Sequence, residues 1–150
     1  MIIRHATTND LNLLHRVERE CFAKDAYTLK QIAFLLEDPN SLSLVALVNE
    51  KVVGFIIGQI HDSSGMRIGH VCTLDVVTKY RRKGIGCQLL TKLERLFKEE
   101  NVKDCFLEVD VENVGALSLY RKHEYTELAR LKNYYSKGVD GVRLKKRLAT

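Results

Sequence analysis

Between Tyr80 and Gly86 the chain reads YRRKGIG, three consecutive cations followed by two glycines one residue apart. An apolar-periodic helix follows, so the stretch would present the unsatisfied N–H groups and partial positive charge of a helix N-terminus, a ready site for phosphate. Gly84 and Gly86 let the backbone approach a ligand closely, and Arg81, Arg82 and Lys83 add full charges that reach phosphate oxygens. Taken alone, the same residues also fit a basic helix start whose glycines serve only a turn. Walker A requires G-x-x-x-x-G-K-[ST], and the dinucleotide fingerprint requires a third glycine where Leu89 stands, which makes ATP and NAD poor candidates. The four cysteines, Cys21, Cys72, Cys87 and Cys105, form no C-x-x-C pair and no zinc-like spacing, and they read as buried reduced thiols.

The elements that must hold this turn are legible around it. IIRHA reads as a strand. TTNDLNLLHRVERECF has polar caps and then Leu11, Leu14, Val17 and Cys21 at helical spacing. A second helix is expected over Thr28 to Glu37. SLSLVALV and KVVGFIIGQI are β-rich runs joined at Asn49-Glu50 as a tight hairpin, HDSSGM is a polar turn, and RIGHVCTLDVV is a third run. From Ile85 to about Glu100, Leu89, Leu93 and Leu96 form an apolar stripe with Leu90 and Phe97 beside it. CFLEVDV is then a strand, NVGALSLYRK a short helix opening at Asn113, and YTELARL and VRLKKRL two closing strands. The order predicts an α+β domain (α/β three-layer): a mostly antiparallel sheet of about seven strands, about four helices, and one strand-helix-strand crossover.

The 150 residues fit one domain over 1–150, large enough to bury a core without disulfides or metal. Pro39 is the sole proline, and there is neither a Ser/Gly-rich linker nor an internal repeat. No apolar run approaches the roughly 20 residues of a membrane span, and MIIRHATTND turns polar too early for a signal peptide; the expected setting is cytoplasmic, without membrane. A formal charge of +5 and a pI near 9.0 favour polyanionic partners without choosing among them. Nucleic acid is disfavoured, because there is no Trp and the aromatics do not interleave with the cations.

The stretch Arg81-Arg82-Lys83-Gly84-Ile85-Gly86 resembles the R/Q-x-x-G-x-G/A pyrophosphate loop of the GCN5-related N-acetyltransferase (GNAT) superfamily, whose element order also matches nearly the whole chain. LEVDVENVGALSLYRK resembles the second cofactor motif, with Asn113 and Tyr120 at its asparagine and tyrosine. GHVCTLDVVTKYRRKGIG and LKNYYSKGVDGVRLKKRL resemble the N-terminal-amine branch, archaeal Ard1-like and RimI-like. The resemblance implies the GNAT fold and acetyl-CoA as cosubstrate, with no metal required. It implies that main-chain groups of Leu74, Asp75 and Val76 pair with the pantetheine arm, that Arg82 to Cys87 take the pyrophosphate, and that Asn113 bonds the cofactor. Tyr120 would face the sulfur as general acid.

For the proton on the attacking amine, the resemblance implies Glu108 in FLEVDV and His70 in GHVCTL. Alternation places Glu108 on one strand face with Phe106 and Asp110; a surface salt bridge and a satisfied strand histidine are the bland alternatives. With no cysteine expected in position as an acetyl carrier, direct attack in a ternary complex is expected. Tyr27, Tyr135 and Tyr134 would hold a peptide backbone, and Asp25 would select or orient a first residue. The implied substrate is a protein or peptide N-terminus, nascent chains and ribosomal proteins included, with a monomer or weak homodimer acting on it. The alternative is a small amine or protein lysine; a non-catalytic acyl-CoA- or RNA-binding module ranks lower. DAYT stands where RimI-like enzymes carry Pro-Trp, and Glu124 stands where a helix end normally places a left-handed glycine.

Overall fold

The computed structural model describes residues 1–148; the last two positions of the expected 1–150 domain lie outside the described residues. In chain order the elements are β1 (Ile2–His5), α1 (Leu11–Phe22), α2 (Leu29–Glu37), β2 (Ser41–Val48), β3 (Lys51–Ser63), β4 (Met66–Val76), α3 (Ile85–Glu99), β5 (Asp104–Asp110), α4 (Val114–Lys122), β6 (Thr126–Ser136) and β7 (Val139–Arg147). This is the order expected from the sequence. The strands form one sheet, β1-β2-β3-β4-β5-β7-β6. Every pairing is antiparallel except β4 with β5, whose connection runs through α3.

Two apolar clusters give the three layers. Leu14, Val17, Ile32 and Leu35 of α1 and α2 pack on Val45, Phe55 and Ile57. On the other face, Leu89, Leu90, Leu93 and Phe97 of α3 join Tyr120 of α4 against Leu44, Ile56, Leu107 and Leu144. Burying a Leu, Ile or Phe side chain contributes about 1.5–3 kcal/mol, so the helical stripes anchor the layers. Local chemistry sets the boundaries: Thr28 and Gln31 form a capping box at the start of α2, and Asn49 and Glu50 both take positive φ in the β2–β3 turn.

Two turns are tighter than expected: β6 runs on to Ser136 and β7 starts at Val139, where the strands were expected to end at Leu131 and begin at Val142. HDSSGM is mostly strand, because Asp62 pairs opposite Arg67 in register and bonds it at 3.3 Å, which confines the turn to Ser64 and Gly65. Glu94 sits on α3 among the Leu stripe yet is buried; Lys146 Nζ and the Tyr125 hydroxyl each donate to it at 2.8 Å. Glu124 does adopt the left-handed conformation, φ 70°, at the helix end where a glycine is usual.

Two features of β4 position the site. Its pairing with β5 covers Ile68 to His70 and stops there. Beyond that point β4 stays on β3 as far as Val76, and β5 stays on β7 as far as Asp110. Residues 71–76 and 107–110 therefore border a wedge. Within β4 the register jumps from Thr73↔Ile57 to Val71↔Gly58, leaving Cys72 as an extra residue. The bulge resets the alternation: Val71, Leu74 and Val76 pack on the α3 side, whereas His70, Thr73 and Asp75 share the α1 side.

Candidate active site

On one border of the wedge the binding groups are main-chain. Gly84, at φ 82°, caps α3, a conformation that glycine adopts without steric cost. The first helical bond runs from Gln88 N to Gly84 O, so the N–H groups of Ile85, Gly86 and Cys87 precede the ladder and lack intrahelical acceptors. Arg82 and Lys83 are exposed beside them. Val77 N donates to Val53 O, and by alternation the N–H and C=O groups of Leu74 and Val76 point away from β3, into the wedge.

Two expectations change here. The Asp75 main chain faces β3, since alternation gives it to the existing ladder. The Arg81 side chain is turned back, donating from Nε to Val76 O at 2.8 Å and from Nη2 to Cys21 Sγ at 3.4 Å. Arg82 and Lys83 are thus the cations left facing outward, while Arg81 fixes the end of β4. The Asn113 carbonyl oxygen accepts from Ala116 N at 3.1 Å as the α4 cap, and its amide NH2 stays available.

Side chains from three strands build the floor of the wedge. His70 Nε2 and Glu108 Oε1 lie 2.7 Å apart, and Arg143 Nε donates to Glu108 Oε2 at 2.9 Å. Burial alone would lower the His70 pKa, but hydrogen bonds and charge from Cys72 and Glu108 outweigh it and raise it to about 9. For Glu108, burial pushes upward and is overcome by His70 and Arg143, which hold the carboxyl below its ordinary value. At neutral pH the pair is imidazolium and carboxylate. Cys72 Sγ lies 3.7 Å from His70 Nδ1. The bulge thus brings a half-buried thiol beside the pair, where none was expected.

Tyr120 is buried, and among the described residues its hydroxyl makes no hydrogen bond. Burial first, then the charges of Asp75 and Cys105, push its pKa up, so the phenol keeps its proton and remains a donor. The expected peptide wall is partly assembled. Tyr27 donates from its hydroxyl to Cys72 O at 3.3 Å, and its N–H goes to Glu18 Oε2 at 3.0 Å. Tyr134 and Tyr135 meet edge to face with centroids 5.0 Å apart over Gly141, where an added Cβ would stand 2.9 Å from the Tyr135 ring. Burial raises the pKa values of all three phenols, and the Glu108 charge adds to the rise. Asp25 is exposed, and among the described residues its carboxylate makes no hydrogen bond or ion pair with His70, Glu108 or Arg143.

Arg143, Cys72 and a carboxyl cluster are additions that sequence reasoning missed. Thr73 Oγ1 lies 2.8 Å from Glu18 Oε1 and 2.6 Å from Asp75 Oδ1. A single hydroxyl proton serves one carboxylate, so the second contact requires a proton on one of the two carboxyls. Burial and Glu18 indeed push the Asp75 pKa well up, and its Oδ2 is buried without a partner. Through Tyr27 N, this cluster ties the α1–α2 turn to the middle of β4. The available signal was two acidic residues at core-facing positions of α1 and β4, and only the pairing of those faces gives it meaning.

Over residues 9–125 the sequence matches the Acetyltransferase (GNAT) family. It is 31% identical over 147 residues to the N-alpha-acetyltransferase of Sulfolobus acidocaldarius, spanning 92% of this chain and 87% of that protein. Ard1 from Thermoplasma volcanium superposes with a TM-score of 0.88 at 26% identity, covering 99% of this chain and 98% of that one. The ribosomal-protein-S18-alanine N-acetyltransferase from Escherichia coli gives 0.88 at 24% identity over 99% and 94%, a likeness of fold.

Proposed function

This chain belongs to the GNAT acetyltransferase family, and on that footing we propose that it transfers the acetyl group of acetyl-CoA to N-terminal α-amino groups of proteins or peptides by direct attack in a ternary complex. The observation that carries the reading is the His70–Glu108 pair, 2.7 Å apart, at the point where β4 and β5 part. One side of that opening offers unpaired strand and helix N–H groups, and the other offers tyrosines. The N-alpha-acetyltransferase relative at 31% identity supports the choice of amine; the ribosomal-protein enzyme, matched in fold, adds nothing on substrate.

Acetyl-CoA fits the groups present. The N–H groups of Ile85, Gly86 and Cys87, with Arg82 and Lys83, would hold its pyrophosphate, Asn113 would bond it beside α4, and the N–H and C=O of Leu74 with the N–H of Val76, whose carbonyl Arg81 already holds, would pair with the pantetheine amides. A Leu74 or Val76 N–H in that wedge would also stabilise the oxyanion. An α-amino group with a pKa of about 7.7–8.0 arrives largely protonated at pH 7 and must lose that proton to attack. Glu108 is the proton-accepting member of the resting pair, and His70 becomes an acceptor as the pH approaches 9. The amine nitrogen then bonds the thioester carbon and sheds its second proton to water, the C–S bond breaks as the tetrahedral oxyanion collapses, and Tyr120 gives its proton to the leaving thiolate and regains one from solvent.

An acetyl-CoA assay on peptides with free and blocked N-termini, starting with Met, Ser, Ala or acidic residues, tests the reading. Acetylation of free N-termini is expected, and activity confined to internal lysines or small amines overturns it. Cys72, 3.7 Å from His70, gives a second reading in which the thiol carries the acetyl group. Ping-pong kinetics abolished by Cys72→Ala would establish that route; intersecting lines and a working Cys72→Ala enzyme support direct attack.

A further inference from the structure

Arg143, Lys145 and Arg147 alternate along one face of β7, opposite Glu108, Phe106 and Asp104 of β5. Helices α1 and α2 pack over β2, β3 and β4 instead, and the three side chains are 39–58% exposed. Lys145 and Arg147 both turn to Asp104, at 3.9 and 3.3 Å. Arg143 differs. It spends Nε on Glu108, while its two terminal nitrogens have no hydrogen-bond partner among the described residues. A guanidinium has five N–H donors in a planar fork that matches a carboxylate. With His70 protonated, the Glu108 charge is divided between it and Arg143, which leaves one net positive charge at the floor of the wedge.

The position of that cation is informative. Gly141, which the Tyr134 and Tyr135 rings cover, stands two residues before Arg143 on the same face of β7, so Arg143 adjoins both the His70–Glu108 pair and the β6–β7 tyrosine wall. Cross-strand neighbours stand about 4.5–5.5 Å apart, and an extended chain advances about 3.3 Å per residue. A cation one strand over from Glu108 is therefore one or two residues along from an amine held at the pair.

We propose that Arg143 reads an acidic side chain just behind the first residue of the substrate, so that the preferred N-termini carry Asp or Glu at the second or third position. The proposal rests on the N-terminal reading above. Two alternate nitrogens of the guanidinium receive the incoming carboxylate while Nε keeps Glu108 in place.

Peptides identical except for Glu, Gln or Lys at the second or third position separate this role from simple support of Glu108, because their kcat/KM ratio within one enzyme cancels any damage that a substitution does to the base. The wild type should favour Glu over Gln by roughly two- to fivefold, mostly through KM. Arg143→Gln should bring the ratio near one, Arg143→Lys should keep part of it, and Arg143→Glu should shift the preference to Lys. Equal wild-type rates on Glu and Gln peptides, or a preference that survives in Arg143→Gln, overturn the proposal and leave N-terminal acetylation standing. Activity on lysine side chains alone overturns both.

Discussion

The β4–α3 turn and the floor of the β4–β5 wedge are built from opposite materials. The turn takes its donors from the main chain of one contiguous stretch, and its shape depends on Gly84 at φ 82°. The floor takes its groups from side chains on three strands, His70 to Glu108 across 38 positions and Glu108 to Arg143 across 35. A site made of backbone is sensitive to conformation and indifferent to most side chains. A site made of side chains is sensitive to protonation and register, and within one backbone its chemistry can be exchanged residue by residue.

The largest contrast should come from one substitution on each side. Gly84→Val forces a β-branched residue into left-handed φ, which costs about 1–2 kcal/mol or more in the fold and misdirects the N–H groups of the turn; titration calorimetry should show acetyl-CoA binding abolished while circular dichroism stays native. Retained binding would mean that the turn is not the anchor. Glu108→Gln should do the reverse, lowering kcat by about 10²–10⁴-fold with acetyl-CoA affinity within about twofold of wild type. Wild-type turnover across neutral pH would remove Glu108 from the mechanism.

A smaller effect should appear in pH profiles. With the His70 pKa raised to about 9, wild-type kcat/KM should still be rising between pH 8 and 9. In His70→Gln the inflection should fall to that of the peptide amine, about 7.7–8.0. Superimposable profiles would exclude His70 as the titrating base.

The smallest effect concerns the cluster that braces the substrate wall. Because the Asp75 pKa is raised, the native state holds its proton more tightly than the unfolded chain does. The associated stability is full below the ordinary value of about 3.9 and is lost as pH rises through the raised one. Asp75→Asn keeps the neutral form at every pH, so its Tm should converge with wild type near pH 4 and exceed it increasingly as the pH rises. A gap that does not depend on pH would mean that Asp75 holds no such proton.

Most of the fold could be read from local patterns, because helical stripes such as Leu89, Leu93 and Phe97 and paired turn residues such as Asn49-Glu50 announce themselves within a few positions. The turn was legible for the same reason: its residues are adjacent. His70 and Glu108 were named through the family resemblance, and their 2.7 Å contact needed the parallel pairing of β4 with β5. Arg143 carried no local mark, since a basic residue in VRLKKRL resembles its neighbours until β7 is set beside β5. Arg81 misled in the opposite sense: its place in a cationic run suggested phosphate, but a free carbonyl at the end of β4 captured it.

The sequence by itself determined the element order, the α3 stripe and the glycine turn, all products of interactions within a few residues of chain. Tertiary structure alone decided that β4 parts from β5 after His70, that a bulge at Cys72 brings His70, Thr73 and Asp75 onto one face, and that Arg143 completes the His70–Glu108 pair. The reason is physical. Strand registers and bulges are set by the packing of the two faces of the sheet against their helices, and a shift of one residue would send each of these side chains to the opposite face.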